Sequence, residues 1–342
     1  MNVTTRMLAA VVLASCLTPV MNAAPQRGRN RPPAEAWLIE KPIGGQSAYA
    51  APMRPVWKLA DLKKMYAGKN NWSQPVVLDD EQDATYNSGA PGAKITTRMH
   101  PQSATAFMVM AGQVRFTVEG QEPVVTKRGS IVNILKNTLY SYEVVGNENA
   151  LWVQVNVRGY GTVFPIDGPA PTPGKGNEVV KVEFSHKPGA YIKPSHLHFN
   201  TFDAIATCTV GPAVAEDRMY VVPHVNYVNP ADDKCRAAAG GGGRGGDDGE
   251  GPAGAAGAPF NAKVPFGHLH SGAVEWWVVQ AGGISGKFEN IGEFHAVEGD
   301  IIYAPPGTWH QMTPEAPSGP SIRVTMGAYQ RIGLQNTGPK TP

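Results

Sequence analysis

The fold is decided by GHLHSGAVEWWVVQAGG, residues 267–283, together with EGDIIYAPPGTWHQ, residues 298–311. In the first stretch His268 and His270 stand two apart, Glu275 follows after four residues and Gly282 after six more. In the second, Gly299 is followed after five residues by Pro305-Pro306-Gly307, and after two more by His310. On a strand, residues i and i+2 point the same way, so His268 and His270 share a face. Glu275 opens a β-prone run, and His310 follows a turn that proline and glycine make tight. Three imidazoles and one carboxylate on strands form an N/N/N/O ligand set for one divalent transition metal. One or two positions stay open on a five- or six-coordinate ion.

The pattern around these ligands is all strand and turn. Trp276 to Gln280 is a β-prone run ended by Ala281-Gly282-Gly283, and Glu298-Gly299-Asp300 turns the chain into Ile301-Ile302-Tyr303. Phe107 to Gly112 and Val114 to Val118 read the same way in the first half. A shift of 170 places Ala111-Gly112 on Ala281-Gly282, Gly129 on Gly299, His100 on His270, Ile131 on Ile301 and Thr138 on Thr308 without a gap. This internal repeat predicts two domains of one architecture in tandem. Helical periodicity is scarce. The best candidate is Trp57 to Tyr66, with Asp61, Lys63 and Lys64 on its outer face.

The pattern H-x-H-x4-E-x6-G, then G-x5-P-x-G-x2-H, resembles the two signature motifs of the cupin superfamily. The residues that carry the likeness are His268, His270, Glu275, Gly282, Gly299, Pro305, Gly307 and His310. Two positions depart from the family pattern: Ala262 stands for its leading glycine and Pro314 for its trailing asparagine. Neither is a ligand. The resemblance implies an all-β chain of tandem double-stranded β-helix (jelly-roll) barrels, a bicupin, each barrel with a central pocket. It also implies a metal held by His268, His270, Glu275 and His310. Iron or manganese is expected foremost, and zinc, nickel or copper also suit the donor set.

The first barrel lacks this set. By the 170 shift His268 becomes Arg98, Glu275 becomes Thr105, His310 becomes Tyr140, Pro305 becomes Leu135 and Gly307 becomes Asn137. Only His100 keeps its type, and one imidazole beside an arginine does not hold a divalent ion. This half reads as a metal-free cupin, either a structural half-barrel or an anion site at Arg98 and His100.

Around the metal ligands, Trp277, Tyr303, Gln280 and Trp309 are the pocket candidates. Alternation puts Trp277 on the face of Glu275 and Trp276 on the other. Gln311 is a weaker candidate for a hydrogen bond. His196 and His198 repeat the i, i+2 spacing without a carboxylate at the right distance, so they read foremost as packing, then as pocket-lining or outer-sphere residues, and last as a second metal site. His224 reads as a structural strand histidine and His295 as exposed.

Composition bounds the rest. With 39 Gly, 30 Pro and 17% charged residues the chain is a strand-and-turn protein, not a helical bundle. A net charge of +2 offers no basic field for nucleic acid or an anionic membrane. Residues 1–24 read as an export signal, with Arg6 before a short apolar run. Leu13-Ala14-Ser15-Cys16 resembles a lipobox with Cys16 as the lipidation site, and cleavage near Ala23 or Ala24 is the competing reading. Residues 25–53 read as a tether carrying Arg27, Arg29 and Arg31. Residues 54–165 form the degenerate barrel, 166–177 a Pro/Gly linker, and 178–335 the metal-binding barrel with a Gly-rich insert at 237–259. Cys208 and Cys235 are a candidate disulfide in an oxidising compartment.

Three functions fit. The first is a metal-dependent dioxygenase-type oxidoreductase, or a decarboxylase, on a small organic acid, carbonyl or phenol chelated to the ion. The others are a metal lyase or isomerase, and a non-catalytic small-molecule or sugar-binding protein. The expected setting is a bacterial periplasm, an outer-membrane lipid anchor or the medium. Barrel edges are available for a homo-oligomer.

Overall fold

The computed structural model describes residues 49–165, 171–174, 176–183, 186–191, 196–208, 214–216, 219–226, 267–270, 274–315, 319–327 and 333–336. These fall within one compact unit. The 1–24 signal, the lipobox at Cys16, nearly all of the tether and the 237–259 insert lie outside the described residues.

The first barrel is built from β2 (Trp72–Leu78), β3 (Gln82–Gly89), β4 (Thr105–Ala111), β5 (Gln113–Val118), β6 (Val124–Thr126), β7 (Ser130–Ile134), β8 (Tyr140–Val145) and β9 (Ala150–Val157). The second is built from β11 (Val214–Glu216), β12 (Met219–Asn226), β13 (Gly267–His270), β14 (Glu275–Ala281), β15 (Gly283–Phe288), β16 (Gly292–Val297), β17 (Ile301–Ala304), β18 (His310–Glu315), β19 (Ser321–Gly327) and β20 (Gly333–Asn336). Each is a pair of antiparallel sheets. With β1 (Val56–Trp57) and β10 (His198–Asn200), the first combines the order β10-β7-β4-β9-β3-β2 with β6-β5-β8, and the second β1-β17-β14-β19-β12-β11 with β16-β15-β18-β13-β20.

The 170-residue repeat is present in the backbone. β4, β5 and β8 fall on β14, β15 and β18 at both ends. A bulge interrupts β4 between Val109 and Ala111, and β14 between Val279 and Ala281. Gly112 and Gly282 both adopt positive φ, 67° and 68°. A Cβ on Gly112 would lie 2.6 Å from the Asn149 carbonyl oxygen, and one on Gly282 would lie 2.9 Å from that of Glu315. Both conformation and space therefore demand glycine.

Strand pairing crosses the 166–177 linker twice. β1 (Val56–Trp57), N-terminal to the first barrel, pairs with β17 of the second through Val56–Ile302 and Trp57–Ile301. β10 (His198–Asn200), C-terminal to the linker, pairs with β7 of the first through Asn200–Ser130. Each exchanged strand runs into a seven-residue helix, α1 (Leu59–Met65) or α2 (Thr201–Thr207). Asn200 caps α2, its Oδ1 accepting the Phe202 and Asp203 amides at 3.1 Å. The α1 entry is held by Asp300, whose carboxylate accepts the Leu59 amide at 2.9 Å and pairs with Lys58 at 3.0 Å. Residues 186–191 also lie on the first barrel. His186 meets the Glu119 carboxylate at 3.0 Å, and the Gly189 amide donates to Thr138 Oγ1 at 3.0 Å.

The core has three layers. Phe107, Phe116, Tyr140 and Trp152 fill the first barrel. Trp277, Ile284, Phe288 and Ile302 fill the second. Between them Tyr86, Met108, Val155, Trp276, Val278, Val324 and Met326 join the two six-stranded sheets face to face. Strands of these sheets are thus buried on both faces, which is why TAFMVMA and EWWVVQA are almost continuously apolar.

Candidate metal centre

His268 and His270 point from β13 to one side, and His268 is the register partner of His310 on β18. The turn carrying His310 is tied to β13, because the Gly307 amide donates to the His270 carbonyl at 2.7 Å. Gly307 makes that bond at φ 73°. In the first barrel Asn137, at φ 59°, donates to the His100 carbonyl at 2.9 Å. Asparagine tolerates the left-handed region, so the turn survives where the ligands do not.

The four side chains converge. Glu275 Oε2 lies 2.6 Å from His270 Nε2, 3.2 Å from His310 Nε2 and 3.6 Å from His268 Nε2. His268 Nε2 and His270 Nε2 are 3.1 Å apart, and all four donor atoms lie within 4.8 Å of one another. All four residues are buried. Donors about 2.1 Å from an ion are about 3 Å apart when adjacent in an octahedral shell, so the cluster has the right size.

Proton placement argues the same way. His310 Nδ1 lies 3.0 Å from the Thr308 carbonyl, which only accepts, so Nδ1 carries the proton. In the neutral ring Nε2 then presents a bare lone pair to a carboxylate oxygen 3.2 Å away. Two lone pairs facing each other in a buried site repel, and a cation between them removes the conflict. The residues fit a divalent metal.

The pocket candidates divide. Trp277 faces the ligands, its ring edge-on to His310 at 5.1 Å between centroids. Tyr303 does not. It is the register partner of Trp276, shares that residue's outward face, and lies in the inter-barrel core with its hydroxyl 3.3 Å from Asp79 Oδ2. Burial and the Asp79 carboxylate push its phenol well above the usual range. Trp309 packs over Gly267, where a Cβ would sit 2.3 Å from the indole. Gln280 is buried at the far end of β14, its carbonyl 3.4 Å from Arg128 Nη2. Gln311 is half-buried, opposite Lys287 on β15.

Other predicted residues fall as follows. His198 is half-buried, 2.9 Å from Ser130 Oγ, while His196 is exposed. Burial lowers the His198 pKa. His295 is exposed and meets Glu315 Oε2 at 2.8 Å. His224 is the register partner of Arg323. Cys208 is disulfide-bonded, while its predicted partner Cys235 lies outside the described residues.

In the first barrel the equivalent space is closed. His100 Nε2 is 3.1 Å from the Tyr140 hydroxyl, and its Nδ1 is 3.3 Å from Thr162 Oγ1. Burial, then the Arg98 charge, lowers the His100 pKa to about 4, so the ring is neutral near pH 7. The Arg98 guanidinium lies over the Phe164 ring at 5.0 Å. A neutral imidazole and a stacked guanidinium favour the structural half-barrel over the anion-site alternative.

Sequence reasoning missed Gln82. This buried residue of β3 accepts the Trp276 indole N–H at 2.8 Å and donates to the Gly327 carbonyl at 3.1 Å. Trp276 adjoins Glu275, and Gly327 is the register partner of Glu275. A single glutamine of the first barrel thus grips both strands beside Glu275 of the second. Nothing local to Gln82 signals this, because the contact spans 194 residues.

The chain is similar in structure to salicylate 1,2-dioxygenase from Pseudaminobacter salicylatoxidans, at TM-score 0.53 and 12% identity, over 84% of this chain and 86% of that one. The chain has the tandem-barrel fold of the cupins. A variant of that dioxygenase in complex with gentisate matches at TM-score 0.51 and 11% identity, over 80% of each chain. A cupin 2 conserved barrel domain protein from Leptotrichia buccalis aligns at TM-score 0.45 and 11% identity, over 78% of this chain and 94% of that one. No family profile matches the chain, and no curated protein matches it in sequence. At these identities the likeness establishes the fold alone.

Proposed function

We propose that the chain is a mononuclear metal enzyme of the dioxygenase or decarboxylase type, acting on a small organic acid, carbonyl or phenol. The observation that carries this is the buried His268–His270–Glu275–His310 cluster, whose four donor atoms lie within 4.8 Å of one another. When bound, a divalent iron or manganese ion supplies Lewis acidity, and iron adds redox chemistry with oxygen. The protein's part is to fix the donors, exclude water and hold the substrate. His310 is oriented by Thr308, Glu275 by the strands that Gln82 grips, and Trp277 walls the interior beside His310. The first barrel contributes support rather than a second centre.

The disulfide at Cys208 supports an oxidising compartment, in line with the export reading of residues 1–24. A small molecule is the proposed partner, with a homo-oligomer as the proposed assembly.

The test is turnover by the metal-loaded chain on a panel of small acids and phenols, following oxygen and carbon dioxide. Oxygen uptake identifies a dioxygenase, and carbon dioxide release without net uptake a decarboxylase. Intact metal with no turnover on the panel goes against both and supports a binding protein.

A further inference from the structure

Ser130 opens β7 and is fully buried, and three groups converge on its hydroxyl. The Lys127 amide donates to Oγ at 3.1 Å and the Asn200 side-chain amide at 3.2 Å. The orientation of that side-chain amide is fixed, because Asn200 Oδ1 accepts the Phe202 and Asp203 N–H groups. His198 Nε2 lies 2.9 Å from the same Oγ. A serine oxygen offers two lone pairs and one hydrogen. The two amides take the lone pairs, so the hydrogen points at His198 Nε2, which accepts it. His198 is neutral in this arrangement, with its own proton on Nδ1.

These bonds hold an exchanged strand. β10 is an edge strand of its sheet, bonded to β7, and α2 follows it directly. α2 rests on the Gly129 turn, where a Cβ would lie 2.3 Å from the Phe202 ring. The Arg128 guanidinium covers that ring at 4.5 Å and also binds Glu298 of the second barrel. Lys127 and Asp203 pair at 3.2 Å, but both are well exposed, so solvent screens them. The other exchanged strand is clasped differently. Asp300 stands where Ser130 does in the repeat, and Val56 pairs with Ile302 as His198 pairs with Val132. Asp300 accepts the Leu59 and Val297 amides at 2.9 Å each and pairs with Lys58 at 3.0 Å. No histidine takes part in that clasp.

A second proton on His198 puts an N–H on Nε2. Ser130 Oγ then faces three donors with two lone pairs, and one of the three bonds must break. The charged groups around the ring are Lys127 and Arg128 on the turn into β7 and Asp203 on α2, with the exposed His196 on its own side of the chain. Burial opposes the charged ring most, Lys127 opposes it too, and Asp203 favours it, so the pKa lies below the usual histidine value. The stability that neutral His198 confers is therefore complete above the ordinary histidine range and is lost as pH falls.

We propose that His198 is an acid-operated latch, which clasps β10 and α2 to the first barrel when neutral and releases them when protonated. Release uncovers the edge of β7, withdraws Phe199 from the inter-barrel core and takes the Phe202 ring from Arg128 at the seam between the barrels. The latch is independent of the metal centre.

The test is hydrogen–deuterium exchange of the full chain, corrected for the intrinsic effect of pH, joined to an NMR titration of the His198 ring. Protection of β10 and α2, taken relative to β9, should fall at least roughly threefold between about pH 7 and about pH 5. His198→Gln keeps a neutral acceptor for the Ser130 hydroxyl and should hold that ratio constant. Ser130→Ala removes the hydrogen bond to the neutral ring and should raise the His198 pKa. Continued protection of β9 in each variant shows that the first barrel is folded. A ratio that does not change with pH in the wild-type chain, a fall as large in His198→Gln, or an unmoved His198 titration in Ser130→Ala overturns the latch.

Discussion

Arg128 and Glu298 occupy equivalent positions of the two repeats, 170 residues apart, and bind each other. Arg128 Nε lies 2.6 Å from Glu298 Oε1, and Nη2 lies 2.7 Å from Oε2. A pair of this kind arises where the two repeats face each other about a pseudo-twofold relation, since each position then meets its own counterpart. The exchange of β1 and β10 obeys the same relation. Both side chains are close to half exposed, so solvent screens the pair. Arg128→Ala should cost under about 1 kcal/mol in chemical denaturation, and reversing both charges should recover most of the loss. A loss of several kcal/mol would show that the pair, and not the apolar layer, joins the barrels.

Gln82 should behave differently, because it is buried and bonded at both ends. Gln82→Leu strands the Trp276 N–H and should cost about 1–3 kcal/mol. It should also weaken Mn(II) binding and alter the paramagnetic spectrum of the bound ion, because both strands beside Glu275 lose their grip. A variant with lowered stability but unchanged metal affinity and spectrum would reduce Gln82 to a packing residue.

Acid should destabilise the chain through the first barrel. The folded His100 pKa of about 4 lies below the 6.5 of an unperturbed histidine. Between these values the unfolded chain binds the proton that the folded chain refuses. The stability His100 confers is therefore complete above about pH 6.5 and falls as pH drops toward 4. His100→Asn should flatten this part of the stability–pH curve. An unchanged slope would place the acid sensitivity elsewhere.

Gly282 is held at positive φ against the backbone of Glu315 and Ser321. Gly282→Ala should lower the stability of the second barrel by about 1–3 kcal/mol in denaturant unfolding. A neutral outcome would show that the bulge beside it can relax.

Much of this was legible in the sequence because the determining patterns are local. The i, i+2 histidines, the Pro–Gly turn and the 170-residue repeat encode strand faces and turns within a few residues of each other. Alternation along β14 puts Trp277 on the face of Glu275, and its ring meets His310 edge-on. The face of Tyr303 is not legible in this way, because it is set by its register partner Trp276, and register is a property of two strands. Arg323 and Thr325 did leave a trace. They alternate with Val324 and Met326 in SIRVTMG, which separates the two buried faces of β19. Gln82 and the exchanged strands left none, since contacts across 194 residues for Gln82, about 245 for β1 and about 68 for β10 have no local signature.

The account stands on the four-ligand centre, and the most direct measurement is metal content after removal of loosely bound ions. The wild-type chain should hold one equivalent of a divalent transition metal. His270→Ala and His310→Ala should fold, judged by circular dichroism, and bind it at least about a hundredfold more weakly. A wild-type chain without stoichiometric metal after loading, or both variants retaining a full equivalent, would contradict the assignment of His268, His270, Glu275 and His310.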